Sequence, residues 1–138
     1  MINRRNFIQL ASSSLAFPFI ARTSWAQGSP NSRISHASFG GGGMAMTDLR
    51  SIAKHPQVDV CAIAEIDPQR RIMARSQFKQ ATVYADWREM LDKEGHKLDT
   101  VNVSTPDHMH ASMAMKSMQC GIHVYGQKPL THGVAESR

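Results

Sequence analysis

From Ile34 onward, short apolar runs alternate with stretches whose apolar residues recur at every third or fourth position. Ile34 to Phe39, Val58 to Ala64, Thr82 to Tyr84, Thr100 to Ser104 and Ile122 to Tyr125 are the runs, and they predict five strands. Met46, Leu49, Ile52 and Ala53 give the helix after the first strand its apolar face. Asp67-Pro68 supplies an N-cap and a proline at the first helical position, predicting a helix to about Phe78. Asp86 and Glu89 have capping-box spacing, and Gly95 is placed to close the helix they start. Thr105-Pro106 repeats the cap-plus-proline device. Ala111, Ala114, Met115 and Met118 then form the predicted apolar stripe, and Gly121 ends that helix. A last helix is expected near Thr131. The first strand is unusually polar, with Ser35, His36 and Ser38 where a buried parallel strand is usually apolar.

Strands alternating with helices through short loops predict an α/β fold, a doubly wound parallel sheet with right-handed crossovers. That topology carries the distinctive residues to one place. The glycines follow strand one, Glu65 ends strand two, Thr105-Pro106 follows strand four, and Lys128-Pro129 follows strand five. These are the carboxyl ends of the strands, where open α/β sheets bind ligands.

The glycine loop fits G-x-G-x-x-A as Gly40, Gly42 and Ala45. Gly40 would allow a tight turn, Gly42 a close backbone approach to a diphosphate, and Ala45 close helix–strand packing. The N-terminus of the helix after the glycines would offer free N–H groups and a positive dipole end to phosphates. Glu65 lies about 20 positions after Ala45, where an acid that accepts hydrogen bonds from a ribose is expected. Its charge would repel a 2′-phosphate and so favours NAD, with Arg70 and Arg71 near enough in sequence to keep NADP open. A surface carboxylate paired with those arginines is the competing reading of Glu65, and a structural glycine turn that of the loop.

Composition narrows the alternatives. The net charge of +5 falls to +2 without the first 26 residues, because Arg4, Arg5 and Arg22 leave and no acid leaves with them. The remaining basic residues are scattered among acids without interleaved aromatics, which argues against nucleic acid as a partner. Two cysteines, Cys61 and Cys120, make no disulfide framework and lack metal-ligand spacing; packed thiols are the expected role of both. Asp107, His108 and His110 with Met109, Met113, Met115 and Met118 raise a copper site. However, Met115 and Met118 fit the apolar stripe and the two histidines point to different helix faces, so no metal is expected. Residues 1–26 read as an export leader of the twin-arginine kind: Arg4-Arg5 precede a short, interrupted apolar stretch, and Ser24-x-Ala26 resembles a peptidase site. The stretch is too short and polar to span a bilayer, and 27–32 reads as a linker.

GGGGMAMTDL, AEID, DWREML, VNVSTPDHMH and GIHVYGQKPLTH together resemble the nucleotide-binding half of the glucose–fructose oxidoreductase, inositol dehydrogenase and rhizopine-catabolism (Gfo/Idh/MocA) family over 33–138. The resemblance implies a Rossmann dinucleotide-binding domain of an NAD(P)-dependent oxidoreductase acting on sugars, cyclitols or related polyols. It implies that Thr105 and Pro106 line the cofactor cleft, that His110 orders that edge, and that Lys128 is the active-site lysine, followed by a cis-proline at Pro129. Gly40, Gly42, Gly43, Met44, Ala45, Glu65, Thr105, Pro106 and His110 are thus the candidate cofactor residues, and Lys128 the candidate catalytic residue. Such a lysine could hold the substrate oxygen and help move its proton. Three features depart from the family pattern: Gln127 stands for the usual glutamate, Ala45 for the third glycine, and the first strand is polar. In the family a second α/β domain carries the substrate pocket, further catalytic residues and the expected assembly contacts. The sequence to Arg138 contains none of it, so the fragment is expected to bind cofactor without turning over substrate. A non-catalytic exported nucleotide-binding module that pairs with another chain is the alternative.

Overall fold

A computed structural model describes residues 33–138; the predicted leader and the 27–32 linker fall outside the described residues. Strands β1 (Ile34–Phe39), β2 (Val58–Ala64), β3 (Thr82–Tyr84), β4 (Thr100–Val103) and β5 (His123–Gly126) form one parallel sheet in the order β3-β2-β1-β4-β5. The chain starts in the middle, winds outward to β3, and returns to β1's other side as β4. The carboxyl ends of β1 and β4 therefore diverge into loops that leave in opposite directions and open a crevice.

Helices α1 (Gly43–Ile52), α2 (Pro68–Gln77), α3 (Trp87–Glu94) and α4 (His110–Gln119) connect the strands. Alternation along β1 and β4 separates the two faces. Ala37, Phe39, Val101 and Val103 join Met90 and Leu91 of α3 and Met113 of α4 in the larger core. Ile63 meets Met46 and Leu49 of α1 and Ala74 of α2 in a smaller one.

The polar residues of β1 belong to the α1 side of the sheet. His36, Ser38 and Asn102 are all buried there. The Thr100 hydroxyl donates to His36 Nδ1 (2.7 Å) and His36 Nε2–H donates to Asn102 Oδ1 (3.0 Å). Asn102 Nδ2 donates to Ser104 Oγ (3.1 Å), which donates to Asp48 Oδ2 on α1 (2.8 Å). Every link has one donor and one acceptor, so a neutral His36 with its proton on Nε2 satisfies the whole seam. Ser38 Oγ donates to the Gly40 carbonyl (2.7 Å) and anchors the loop that follows. A fully satisfied hydrogen-bond chain is what lets this strand be buried and polar at once.

Several local expectations need correction. Met115 and Met118 are 54% and 52% exposed; the buried face of α4 is instead His110, Met113 and Ser117. The apolar stripe was misplaced because His110 and Ser117 are buried through hydrogen bonds that hydrophobicity does not register. Thr105 does not cap that helix: Pro106 precedes a 3-10 turn at Asp107–Met109, and α4 starts only at His110. Asp67 caps α2 as expected, accepting from Gln69 N and Arg70 N. Asp86 caps α3 by accepting from Arg88 N, but Glu89 reaches forward to Lys93 rather than completing a capping box. Gly95 is the C-cap of α3 as expected, though right-handed and leading into a 3-10 turn, and Gly121, at φ +79°, is the left-handed residue that closes α4. Cys120, in that final turn, is exposed rather than packed, and Cys61 is half-buried. Near Thr131 there is only a 3-10 turn at Val134–Ser137.

Burial pushes the His36 pKa below its ordinary 6.5, with the Asn102 hydrogen bond acting weakly the other way. The unfolded chain then binds the proton more readily, so stability is fully present above about pH 6.5 and falls as the pH drops toward the lowered folded value. Urea denaturation across that window is expected to show the loss. His36→Gln should flatten the slope while lowering stability at about pH 8 by about 1 kcal/mol.

Candidate functional site

The loop between β1 and α1 is built by close approach. Gly40 sits at φ +104°, and a Cβ there would lie 2.7 Å from the Ala45 Cβ and 2.8 Å from the Ser104 carbonyl oxygen. Ala45 therefore sits directly against the turn, with no room for a larger side chain. Gly43 is also left-handed, at φ +55°, and Gly42 is the extended N-cap of α1, with no side chain to satisfy the helix end. The first backbone donor of that turn with a partner inside the helix is Met46 N, bonded to Gly42 O, leaving the N–H groups of Gly43 and Met44 free. Met44 is 63% exposed. Unpaired N–H groups and the positive end of the helix dipole make this terminus an anion receptor.

Glu65, at the end of β2, is buried and faces the same loop. Its Oε2 accepts from Gly41 N (2.8 Å) and its Oε1 from Asp67 N (3.0 Å). A carboxylate has about four lone-pair positions, so two remain for ligand hydroxyls. The competing surface ion pair does not form. Arg71 donates to the backbone carbonyls of Glu65 and Ile66, and Arg70 lies near Asp67 with its stem packed over Gly42.

Between these loops opens a cavity of about 470 Å³. Gly40, Gly42, Glu65, Thr105 and Pro106 are among its walls. So are groups the sequence reading had not assigned to the site, chiefly Arg70, Trp87, His108 and Met109. Trp87 stands edge-on to Phe39, 5.8 Å between centroids, with the Arg88 guanidinium 4.6 Å over its ring. The legible signal for Trp87 was its place directly after the Asp86 cap, which makes it the first residue of the helix that follows β3.

Other predicted residues act from behind the walls. His110 is buried, one ring nitrogen facing the Pro129 carbonyl and the other the Thr105 carbonyl (2.7 Å), so it ties the loop after β4 to the turn after β5. The Thr105 hydroxyl contacts Met113 Sδ (3.5 Å). Lys128 is exposed and is not a wall of the cavity; the bond to Pro129 is cis. Gln127 connects this turn to the sheet, its backbone N–H donating to Val103 O (2.9 Å). Its side-chain Nε2 donates to Asp48 Oδ2 (3.0 Å).

Residues 34–138 match the model of the Gfo/Idh/MocA oxidoreductase family, NAD-binding Rossmann fold, and the chain belongs to that family. It is 32% identical over 76 residues to levoglucosan dehydrogenase of Pseudarthrobacter phenanthrenivorans, covering 55% of this chain and 19% of that protein. A glycosyl hydrolase family 109 protein of Stenotrophomonas maltophilia is 26% identical over 135 residues, covering 89% of this chain and 29% of that protein. The structure of levoglucosan dehydrogenase in complex with NADH superimposes with a TM-score of 0.67 at 26% identity, over 76% of this chain and 30% of that one. Homologous structures carry NAD or NADH, and some carry NADP. The chain spans less than a third of the length of these relatives.

The close contacts at Gly40 give a direct check. Gly40→Ala must accommodate an atom against both Ala45 and the Ser104 carbonyl at a left-handed backbone position. It should cost about 2–4 kcal/mol in chemical denaturation. Gly43→Ala, where a Cβ would meet nothing within 4 Å, should cost only the backbone strain, about 1 kcal/mol.

Proposed function

We propose that this chain is the dinucleotide-binding part of an exported oxidoreductase that moves hydride between NAD and a sugar, cyclitol or related polyol. The observation that carries the reading is the grouping of Gly42, Glu65, Thr105 and Pro106 around one cavity at the carboxyl ends of the strands, beside a helix N-terminus with free donors. The N–H groups of Gly43 and Met44 would hold the pyrophosphate. Glu65 would accept from the adenosine ribose hydroxyls while staying bonded to Gly41 and Asp67. Thr105 and Pro106 would form the opposite wall, kept in place by His110. When bound, the nicotinamide ring supplies the hydride acceptor or donor. Lys128, at the turn after β5, is the residue assigned to hold the substrate oxygen and move its proton.

NAD is the favoured cofactor, because the buried Glu65 carboxylate occupies the side of the cleft where a 2′-phosphate would need a cation. Arg70, packed over Gly42 at the same wall, is the group through which NADP could still be held. The chain spans less than a third of the length of its relatives, and the reading here concerns the cofactor. Export rests on the Arg4-Arg5 leader pattern alone. The relative named as a glycosyl hydrolase makes cleavage of a glycoside the second reading of the whole enzyme's chemistry. Both readings put a sugar beside the nicotinamide.

Calorimetric titration with NAD and NADP tests this assignment. NAD should bind below millimolar concentration and more tightly than NADP. Glu65→Ala should weaken NAD by about tenfold, for one charge-assisted ribose contact, and NADP less. Equal losses for the two cofactors would remove the ribose role of Glu65, and absence of binding by either would sink the cofactor assignment.

A further inference from the structure

The polar seam under α1 does not end at Asp48. Asp48 Oδ2 accepts from two sides, from Ser104 Oγ at 2.8 Å and from Gln127 Nε2 at 3.0 Å. Gln127 is 79 positions away in sequence and directly precedes Lys128. Its other side-chain atom, Oε1, faces the backbone N–H of Lys128 at 3.4 Å. The Gln127 amide is thus a bridge, one end on the carboxylate of the glycine-loop helix and the other on the turn that carries Lys128.

We infer that Asp48 is a positioning residue for the Gln127–Lys128 turn, and that the pair works because the two side chains meet as acceptor and donor rather than as two carboxylates. The inference rests on the proposed role of Lys128 for its importance to catalysis, but not for its geometry. The hydrogen-bond directions fix the pairing. Ser104 Oγ accepts from Asn102 and must donate onward, so the atom at position 48 that receives it must be an acceptor. The same atom must also accept from residue 127, which therefore needs an N–H. A glutamate at 127 would bring a second carboxylate to about hydrogen-bond distance of Asp48, and two such groups cannot both stay ionised at close range without cost. The charged or titratable neighbours of position 127 are Asp48 across the gap and Lys128 next in the chain, with His110 reaching the same turn through the Pro129 carbonyl. The departure at Gln127 is in this view matched by Asp48.

Four variants of the full chain test the pairing through backbone amide exchange at Gln127 and Lys128 and through thermal stability at several pH values. Asp48→Ala removes the shared acceptor and should raise exchange at the turn about five- to tenfold, the equivalent of one lost hydrogen bond. Asp48→Asn keeps an accepting oxygen and should stay within about twofold of the native chain. Gln127→Glu should loosen the turn at about pH 8. Because one carboxyl is then held protonated in the folded state, order and stability should return as the pH falls toward about 5. Combining Gln127→Glu with Asp48→Asn lets the new amide donate to the new carboxylate and should restore the turn at both pH values. Rescue in the double variant together with pH dependence in the single one supports the inference. Equal tolerance of Gln127→Glu with and without Asp48→Asn, or unchanged exchange in Asp48→Ala, overturns it. None of these readouts needs a cofactor, so the pairing can fail while NAD binding stands, and NAD binding can fail while the pairing stands.

Discussion

The carboxylate of Glu65 fastens the ligand end of the sheet. A buried ionised carboxylate without a cation is costly unless its oxygens receive strong hydrogen bonds. Here they come from Gly41 N in the loop after β1 and Asp67 N in the loop after β2. Each donor requires its loop to bend back over the end of β2. Gly41 can do so because its neighbours Gly40 and Gly42 have no side chains, and Asp67 because it is already the extended N-cap of α2. Charge-assisted bonds of this kind are stronger than ordinary amide bonds, so the two loops are held near one another before any ligand arrives. The open helix end and the buried acid are parts of a single bonded unit.

The two faces of the sheet solve burial in different ways. Under α3 and α4 the solution is volume: Phe39, Met90, Val101, Val103 and Ile122 fill the space with apolar side chains. Under α1 it is hydrogen-bond closure, with His36, Asn102, Ser104 and Asp48 joined in a line. An apolar face tolerates exchange of similar volumes. A polar line does not, because removing one member strands a buried donor or acceptor at its neighbour. The helix that presents the free N–H groups is thus held to the sheet by directional contacts as well as by Met46 and Leu49.

Strand placement, helix order, the Asp67 cap and the tight turn at Gly40 were legible in the sequence because each depends on local chemistry. Alternation, capping residues and obligatory glycines act within a few positions. What escaped the sequence reading is polar burial made possible by hydrogen bonds. The α4 face was misread because His110 and Ser117 looked polar, while His110 meets the Pro129 and Thr105 carbonyls and Ser117 returns its hydroxyl to the Met113 carbonyl one turn back in the helix. Cys120 looked like a packed helix end, yet the turn at Gly121 carries it to the surface. Within the candidate site, Glu65 and Thr105-Pro106 could be placed from strand ends alone. That Arg70 and Trp87, in the first turns of α2 and α3, share one cavity needed the sheet order, which pairs β2 with β3.

Two oddities that looked separate in the sequence, a polar first strand and a glutamine before Lys128, are physically one feature. A hydrogen-bond chain that begins at the Thr100 hydroxyl and passes each proton in the same direction must end on a group with no proton left to give. The carboxylate of Asp48 is that terminus. Once the seam is directed toward Asp48, whatever meets Asp48 from the far side must arrive as a donor. The residue at the end of β5 is the one that meets it, so its amide follows from the direction of bonds that start at His36. The histidine in β1 and the side chain preceding Lys128 are the two ends of one line of hydrogen bonds through Asn102, Ser104 and Asp48. The constraint that relates them is the orientation of protons along the hydrogen-bonded side chains between them.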